Sequence, residues 1–371
     1  MDIYISYANA LTSLGYGNDL WDSLVSNQIG LTPLHMLYPN IIENRDKNST
    51  YDVGILSSIT SQEQRVDKLF ELIDKTIMSE NITKCDLIIG ASSLGDLTGE
   101  NSGVPEHSLK NYLKTKKLSH LDSFLVSSAC SSGTDALIMA SLLVSNGVVN
   151  NVGVLAFDTL EKGKILQHIA LQTQSKYRIR PFDSHRSGTS FGEGAAFVIV
   201  SNTKGLEKLK VQPLVKIGGT GMSCDAYDIT NPEPSGKWQA QALNMAFKNN
   251  NYKDRLGYIN LHGTGTRNND LVESKILNMV FTNKLNKILL SSTKGALGHS
   301  LGATGLVEAV ITIWSIKNKI CPGTMGLDII DNELNLNILR KAKPCKNLEV
   351  AMSVTFGFGG TNSAIIFEDI K

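Results

Sequence analysis

The five cysteines contain no CxxC pair: they lie far apart, at 85, 130, 224, 321 and 345. An odd, scattered set argues against a disulfide framework or a thiolate zinc site and fits a reducing cytoplasm. HxxxH-type zinc spacing is absent as well, so no metal is expected. No apolar run reaches the roughly 18–20 residues that span a bilayer. The N-terminus lacks the charged-then-apolar plan of a secretory leader. No basic run or aromatic-interleaved basic patch occurs, and the formal net charge is +1, so nothing points to nucleic acid. Neither a P-loop nor a Rossmann glycine fingerprint is present.

What remains is an ordinary globular composition: 371 residues, 42% hydrophobic and 19% charged, enough chain for large buried sheets. Strand and helix signals alternate. Residues 2–7 read as a strand, and Trp21, Leu24 and Val25 share a helical face ended by Gly30. Residues 31–60 are polar and irregular. A helix over 62–80 carries Val66, Leu69, Phe70, Ile73 and Ile77 at a 3.6-residue period. Strands are expected at 87–89, 152–157, 195–200, 211–217, 256–261, 287–291, 350–354 and 363–367. Helical stretches are expected at 160–171, 235–247, 272–281 and 305–316. A break at 201–205 divides the chain into two halves of similar plan, 1–205 and 206–371. Such alternation predicts an α/β fold with mostly parallel, doubly covered sheets.

The stretch Ser127-Ser128-Ala129-Cys130-Ser131-Ser132-Gly133-Thr134-Asp135 follows the apolar run Phe124-Leu125-Val126 and precedes a helical pattern. Cys130 is thereby placed on a tight strand-to-helix turn, where free N–H groups and the helix dipole favour a thiolate. Most free cysteines, however, are buried structural residues, and on this stretch alone both readings stay open. Three more strands end in small-residue loops, where α/β ligand sites gather: His262-Gly263-Thr264-Gly265-Thr266, followed by Glu273; Lys294-Gly295-Ala296-Leu297-Gly298-His299; and Phe356-Gly357-Phe358-Gly359-Gly360-Thr361-Asn362. Singly, each is ordinary turn chemistry.

Together, one Cys and two His in this order make the chain resemble a β-ketoacyl-acyl carrier protein synthase of the elongating type I/II branch of the thiolase superfamily. Arg180-Pro181-Phe182-Asp183, Gly192-Glu193-Gly194-Ala195 and Asp225-Ala226-Tyr227 match the same pattern. The resemblance spans nearly the whole chain. It implies a thiolase-like fold, two similar α/β halves in a layered αβαβα arrangement. The first half would carry the nucleophile, and the second would carry both histidines and the glycine-rich gating loop.

The resemblance also implies roles. Cys130 would hold the acyl group as a thioester, with the N–H groups of Cys130 and Phe358 as oxyanion hole. His262 and His299 would stabilise the enolate left when malonyl carrier protein loses CO2. Lys294 and Glu273 would form an ordering ion pair, Thr264 and Thr266 would bind the phosphopantetheine arm, Phe358 would gate access, and Leu94 would line the acyl pocket. Asp183, Arg186 and Glu193 would be structural. No cofactor is implied, because phosphopantetheine arrives on the carrier. The implied partners are acyl carrier protein, malonyl-acyl carrier protein, and a second subunit in a homodimer or a heterodimer with another ketosynthase-like chain. Acidic carriers call for a basic patch, for which Lys176, Arg178 and Arg180 are candidates.

Ser187 and Thr189 stand where the family has an acidic and a bulkier residue, and the chain is shorter than typical members. Compactness of that kind suggests a specialised pathway, polyketide or polyene, over housekeeping fatty acid synthesis. Rival readings are a non-catalytic chain-length-factor-like subunit, a thiolase or initiating synthase, and a purely structural protein. Retention of Cys130, His262 and His299 disfavours the first, His299 after Lys294 the second, and the whole motif set the third.

Overall fold

The computed structural model describes residues 1–39, 41, 49–59, 65–93, 105–248 and 251–370. Leu94 and the start of the helix expected from 62 lie outside the described residues. The first half supplies strands β1 (Tyr4–Thr12), β2 (Leu87–Ala91), β3 (Asp122–Val126), β4 (Asn151–Asp158) and β5 (Gly194–Ser201). They lie in the spatial order β3-β2-β4-β5-β1. The second half supplies β6 (Val215–Cys224), β7 (Leu256–Asn260), β8 (Leu289–Ser291), β9 (Val350–Phe356) and β10 (Thr361–Asp369). Their order, β8-β7-β9-β10-β6, repeats the first sheet position by position. Directions repeat too: three strands run parallel at the outer end of each sheet, and the inner pairings are antiparallel. A short antiparallel contact between β1 and β6, Tyr4 with Lys216 and Ile5 with Val215, joins the two sheets.

The strands read as unbroken apolar runs because both faces are covered. In β5, Ala196, Val198 and Val200 face the central core, while Ala195, Phe197 and Ile199 face an outer one. In β10, Ile365 and Phe367 point inward and Ala364 and Ile366 outward. The helices α1 (Arg65–Thr76), α2 (Ser132–Ser145), α3 (Lys162–Ala170), α4 (Lys237–Ala246), α5 (Arg267–Phe281) and α6 (Thr304–Asn318) fill the remaining layers. α2 and α6 pack on one another and touch strands of both sheets, so they form the middle layer. Rich in apolar residues, they cross where Gly133 meets Leu306. A Cβ on Gly133 would stand 2.7 Å from the Leu306 nitrogen, and one on Gly305 would stand 2.1 Å from Thr134 Oγ1. α1 covers the outside of the first sheet, and α4 and α5 that of the second. The architecture is the layered αβαβα thiolase-like arrangement.

Two local expectations are corrected. The break at 201–205 is the start of a short helix, Thr203–Leu209, whose Asn202 side chain caps Gly205 N. The strand expected at 211–217 runs instead from Val215 to Cys224. Its Gly219 and Gly221 lie beyond the strand end expected from the sequence. In the fold they let α4 lie directly on the strand, for a Cβ at either position would come within 2.0 Å of an α4 carbonyl oxygen.

Candidate active site

β3 ends at Val126, and the chain reverses into α2 through a single tight turn. Ala129, immediately before Cys130, has φ 54°, a left-handed conformation that costs a non-glycine residue about 1–3 kcal/mol. Hydroxyls hold that turn in place. Ser132 Oγ accepts the Ser128 N–H (2.9 Å) and donates to the Ala129 carbonyl (2.7 Å). Asp135 accepts from the hydroxyls of Ser128 (2.5 Å) and Ser131 (2.8 Å), and from Ser363 on β10 of the other half. The small residues around Cys130 are therefore the clamp that presents it.

Cys130 is buried, with 8% of the residue exposed. Burial pushes its pKa up to about 11, against the pull of hydrogen bonds from the backbone of Phe358 and Cys130 and of the Lys294 charge. This reverses the expectation of a resting thiolate: desolvation of the anion outweighs the helix terminus. The same observation puts the N–H groups of Phe358 and Cys130 beside the sulfur, where an oxyanion hole has to be.

His262 follows β7. Its backbone N–H and that of Gly263 both donate to the Glu273 carboxylate, at 2.8 Å each, from the first turns of α5. Glu273 thus holds the loop and is not the ion-pair partner of Lys294. That partner is Glu308, in the second turn of α6, 2.5 Å from Nζ, with both side chains almost wholly buried. Burial pushes the Glu308 carboxyl up to about 7, against the pull of Lys294. Burial likewise raises Glu273 to about 8. Glu308 was missed by sequence reading, although it is the sole acid of an otherwise apolar helix, and a lone acid there signals a buried counter-charge.

The Lys294 ammonium also lies 2.6 Å from the His262 carbonyl and 3.3 Å from His262 Nδ1. An ammonium only donates, so Nδ1 accepts and the ring proton sits on Nε2. At His299 the same logic holds: Nδ1 accepts the Leu301 N–H (3.0 Å), with the Thr304 hydroxyl at 3.2 Å. Burial, and then the Lys294 charge, hold both imidazoles well below their ordinary pKa. Both are neutral donors. Their rings stand 5.6 Å apart, edge to face.

Cys130, His262, His299, Phe358, Thr264 and Thr266 all line one cavity of about 400 Å³. Lys294 and Glu273 stand behind it. The hydroxyls of Thr264 and Thr266 are 2.9 Å apart on one wall. On another, His168 from α3 stacks on Phe191 at 4.0 Å and stands 6.0 Å from Phe358. Burial, then the Lys164 charge, holds its pKa near 4. No sequence motif had marked His168. Asp183 and Glu193 bind backbone N–H groups, and Glu193 also pairs with Arg65, away from the cavity. Among the described residues no cluster of His, Cys, Asp and Glu is arranged to hold a metal ion.

The description "Beta-ketoacyl synthase, N-terminal domain" matches residues 122–204, and "Beta-ketoacyl synthase, C-terminal domain" matches residues 214–328. The chain belongs to the β-ketoacyl synthase family. Among relatives of this synthase family, 3-oxoacyl-[acyl-carrier-protein] synthase 2 of Synechocystis sp. is 32% identical over 248 residues, 65% of this chain and 60% of that protein. The Vibrio harveyi synthase 2 is 35% identical over 193 residues, 52% of this chain and 46% of that one. The alignments thus span only about half the length of these two synthases. A 3-oxoacyl-[acyl-carrier-protein] synthase homolog of Saccharomyces cerevisiae is 27% identical over 99% of this chain and 98% of its own. Solved structures share the fold throughout. A β-ketoacyl synthase from Burkholderia phymatum has a TM-score of 0.82 at 22% identity, with 100% of both chains covered. A structure of a type II polyketide acyl-carrier protein with its ketosynthase gives 0.84 at 18% identity, covering 100% of this chain and 99% of the other.

Proposed function

We propose that the protein is a β-ketoacyl-acyl carrier protein synthase that condenses a Cys130-bound acyl group with malonyl-acyl carrier protein. The observation that carries this reading is the convergence of one thiol, two N–H groups beside it and two imidazole Nε2–H donors on a single cavity. In the first half-reaction Cys130 attacks the carrier's thioester, and the N–H groups of Cys130 and Phe358 hold the tetrahedral oxyanion. The thiol's proton leaves with the departing carrier thiol. Neither imidazole takes it, because both Nε2 atoms already bear hydrogen.

In the second half-reaction malonyl carrier protein places its thioester carbonyl against His262 and His299. The C–CO2 bond breaks, its electron pair becomes an enolate, and the two donors face the developing charge. The carbanion then attacks the acyl-Cys130 carbonyl and expels the sulfur. The Thr264 and Thr266 hydroxyls fit the amides of the pantetheine arm, and Phe358, between two glycines, fits a gate. Phosphopantetheine comes with the carrier as substrate, and the residues of the site call for no resident cofactor.

Incubation with acyl carriers followed by intact-mass measurement tests the first half. A covalent acyl adduct that disappears in Cys130→Ser supports the reading, and its absence with every chain length makes the protein a non-catalytic partner subunit. Two further readings accompany it. β3 ends its sheet, and its residues are at most half-buried. Beside it, Met139 and Leu142 of α2 are exposed, so a second ketosynthase-like chain fits there, identical or not. Arg178 and Arg180 engage Asp52 and Asp328 within the chain, which weakens the expected basic patch and leaves the exposed Lys176, together with the exposed Arg267 at the cavity mouth, as contacts for an acidic carrier. Among the described residues no helix is long and apolar enough to cross a membrane, and we place the protein in the cytoplasm.

A further inference from the structure

Outside the lining of the cavity, Cys321 and Cys345 face each other across a small antiparallel pair of strands, Ile320–Cys321 and Lys343–Pro344. Cys321 lies opposite Lys343, and the Cys345 N–H donates to the Lys319 carbonyl at 2.7 Å. Cys345 therefore projects from the same face as Cys321, one diagonal step along the ladder. Their sulfurs are 3.1 Å apart, about 1 Å beyond a covalent S–S bond. We propose that Cys321 and Cys345 are an oxidation site, a dithiol that closes to an intramolecular disulfide with small disulfides such as glutathione disulfide and reopens on reduction.

The two sulfurs are not equivalent. Cys345 is partly exposed, and contact with Cys321, then the charges of Lys319 and Lys343, hold its thiol below the ordinary value. Cys321 is fully buried. Attack therefore begins at Cys345: its thiolate displaces one glutathione thiolate and leaves a mixed disulfide. The Cys321 sulfur then attacks the Cys345 sulfur and expels the second glutathione. Two protein thiols are oxidised, one glutathione disulfide is reduced, and the two thiol protons end on the two glutathione molecules. Scattered spacing in the sequence had argued against any disulfide framework, and only the folded strands bring these two together.

The bridge would close the loop between them. That loop carries Thr324, whose hydroxyl accepts the Ser292 N–H at 3.0 Å, and Ser292 in turn donates to the Gly263 carbonyl beside His262. Oxidation thus braces the support of the active-site loops without entering the cavity. With 24 residues of separation, the expected gain is a rise in Tm of about 4 °C.

The test treats the whole protein with glutathione disulfide, alkylates remaining thiols and maps peptides by mass spectrometry, alongside thermal unfolding. A Cys321–Cys345 cross-linked peptide, the Tm rise, and reversal of both by dithiothreitol are the expected result. Both disappear in Cys345→Ser and in Cys321→Ser. Because Cys321 is buried and its variant can fail to fold, the partly exposed Cys345→Ser carries the test alone. Stable glutathionylation of Cys345 without the cross-link, or alkylation of both residues after treatment, overturns the proposal. Neither readout depends on condensing activity.

Discussion

Replacing Glu308 by Gln removes the counter-charge of Lys294 while keeping the shape of the side chain. Lys294 is 1% exposed and Glu308 2%. Breaking a buried pair by removing one partner costs about 3–5 kcal/mol, because an uncompensated charge is left in a dry interior. For 371 residues, with an unfolding entropy of about 2.1 cal/mol/K per residue, this lowers Tm by roughly 4–6 °C. The catalytic effect follows from proton placement. Without Glu308 to anchor it, the Lys294 ammonium is no longer held against His262 Nδ1, and that nitrogen is no longer forced to be the acceptor. Molecules in which the ring proton moves to Nδ1 lose one of the two donors facing the enolate, a loss worth about 2.7–4 kcal/mol, or 10²–10³ in rate. Malonyl decarboxylation, followed by release of CO2, should fall accordingly, while acylation of Cys130, followed by intact mass, persists. Combining Lys294→Met with Glu308→Leu separates the two effects: with both charges gone stability recovers, and decarboxylation does not. A Glu308→Gln variant with unchanged Tm and unchanged decarboxylation would refute the reasoning.

With its pKa raised to about 11, Cys130 is about 10⁻⁴ thiolate at pH 7, and its alkylation by iodoacetamide should climb tenfold per pH unit through pH 10; a plateau by pH 8 contradicts the burial argument. Thr304→Val removes one of two partners of His299 Nδ1 and leaves the Leu301 N–H to fix the tautomer. Condensation should therefore drop no more than about tenfold, against a loss of 10² or more for His299→Ala, measured as kcat on malonyl carrier protein. Arg65→Met strands the buried Glu193 carboxylate, which Arg65 grips through both Nε and its terminal nitrogen; urea unfolding should report a loss of about 3–5 kcal/mol. Leu142→Lys puts a charge on the exposed face of α2 beside the β3 edge. Sedimentation at micromolar concentration should then show a monomer for the variant and a dimer for the parent protein, and equal masses for the two would count against this edge as the subunit contact.

Much of this was legible because strand-turn-helix chemistry is local. The run Phe124-Leu125-Val126 followed by serines around Cys130 announces a tight strand-to-helix turn, and glycine loops announce where His262, His299 and Phe358 sit. Partnerships across the fold were not legible. Glu273 and Glu308 are both acids on helices that follow a histidine loop, and only the fold shows that one ties down backbone while the other neutralises Lys294. The protonation state of Cys130 was misjudged for a related reason: helix dipoles are visible in sequence, and desolvation by the opposite half of the chain is not. At Gly219 and Gly221 the local preference for a loop loses to a helix that needs bare backbone to lie on. His168 carries no neighbouring motif, so nothing in the sequence separated it from an ordinary helical histidine.

The meeting of α2 and α6 over Gly133 and Gly305 works as a calliper. One jaw starts just after Cys130, and the other starts at Thr304, a few residues beyond His299. The loops that carry Cys130 and His299 are thereby tied to how closely two helix starts can touch, and a single methyl group between them would force those starts apart.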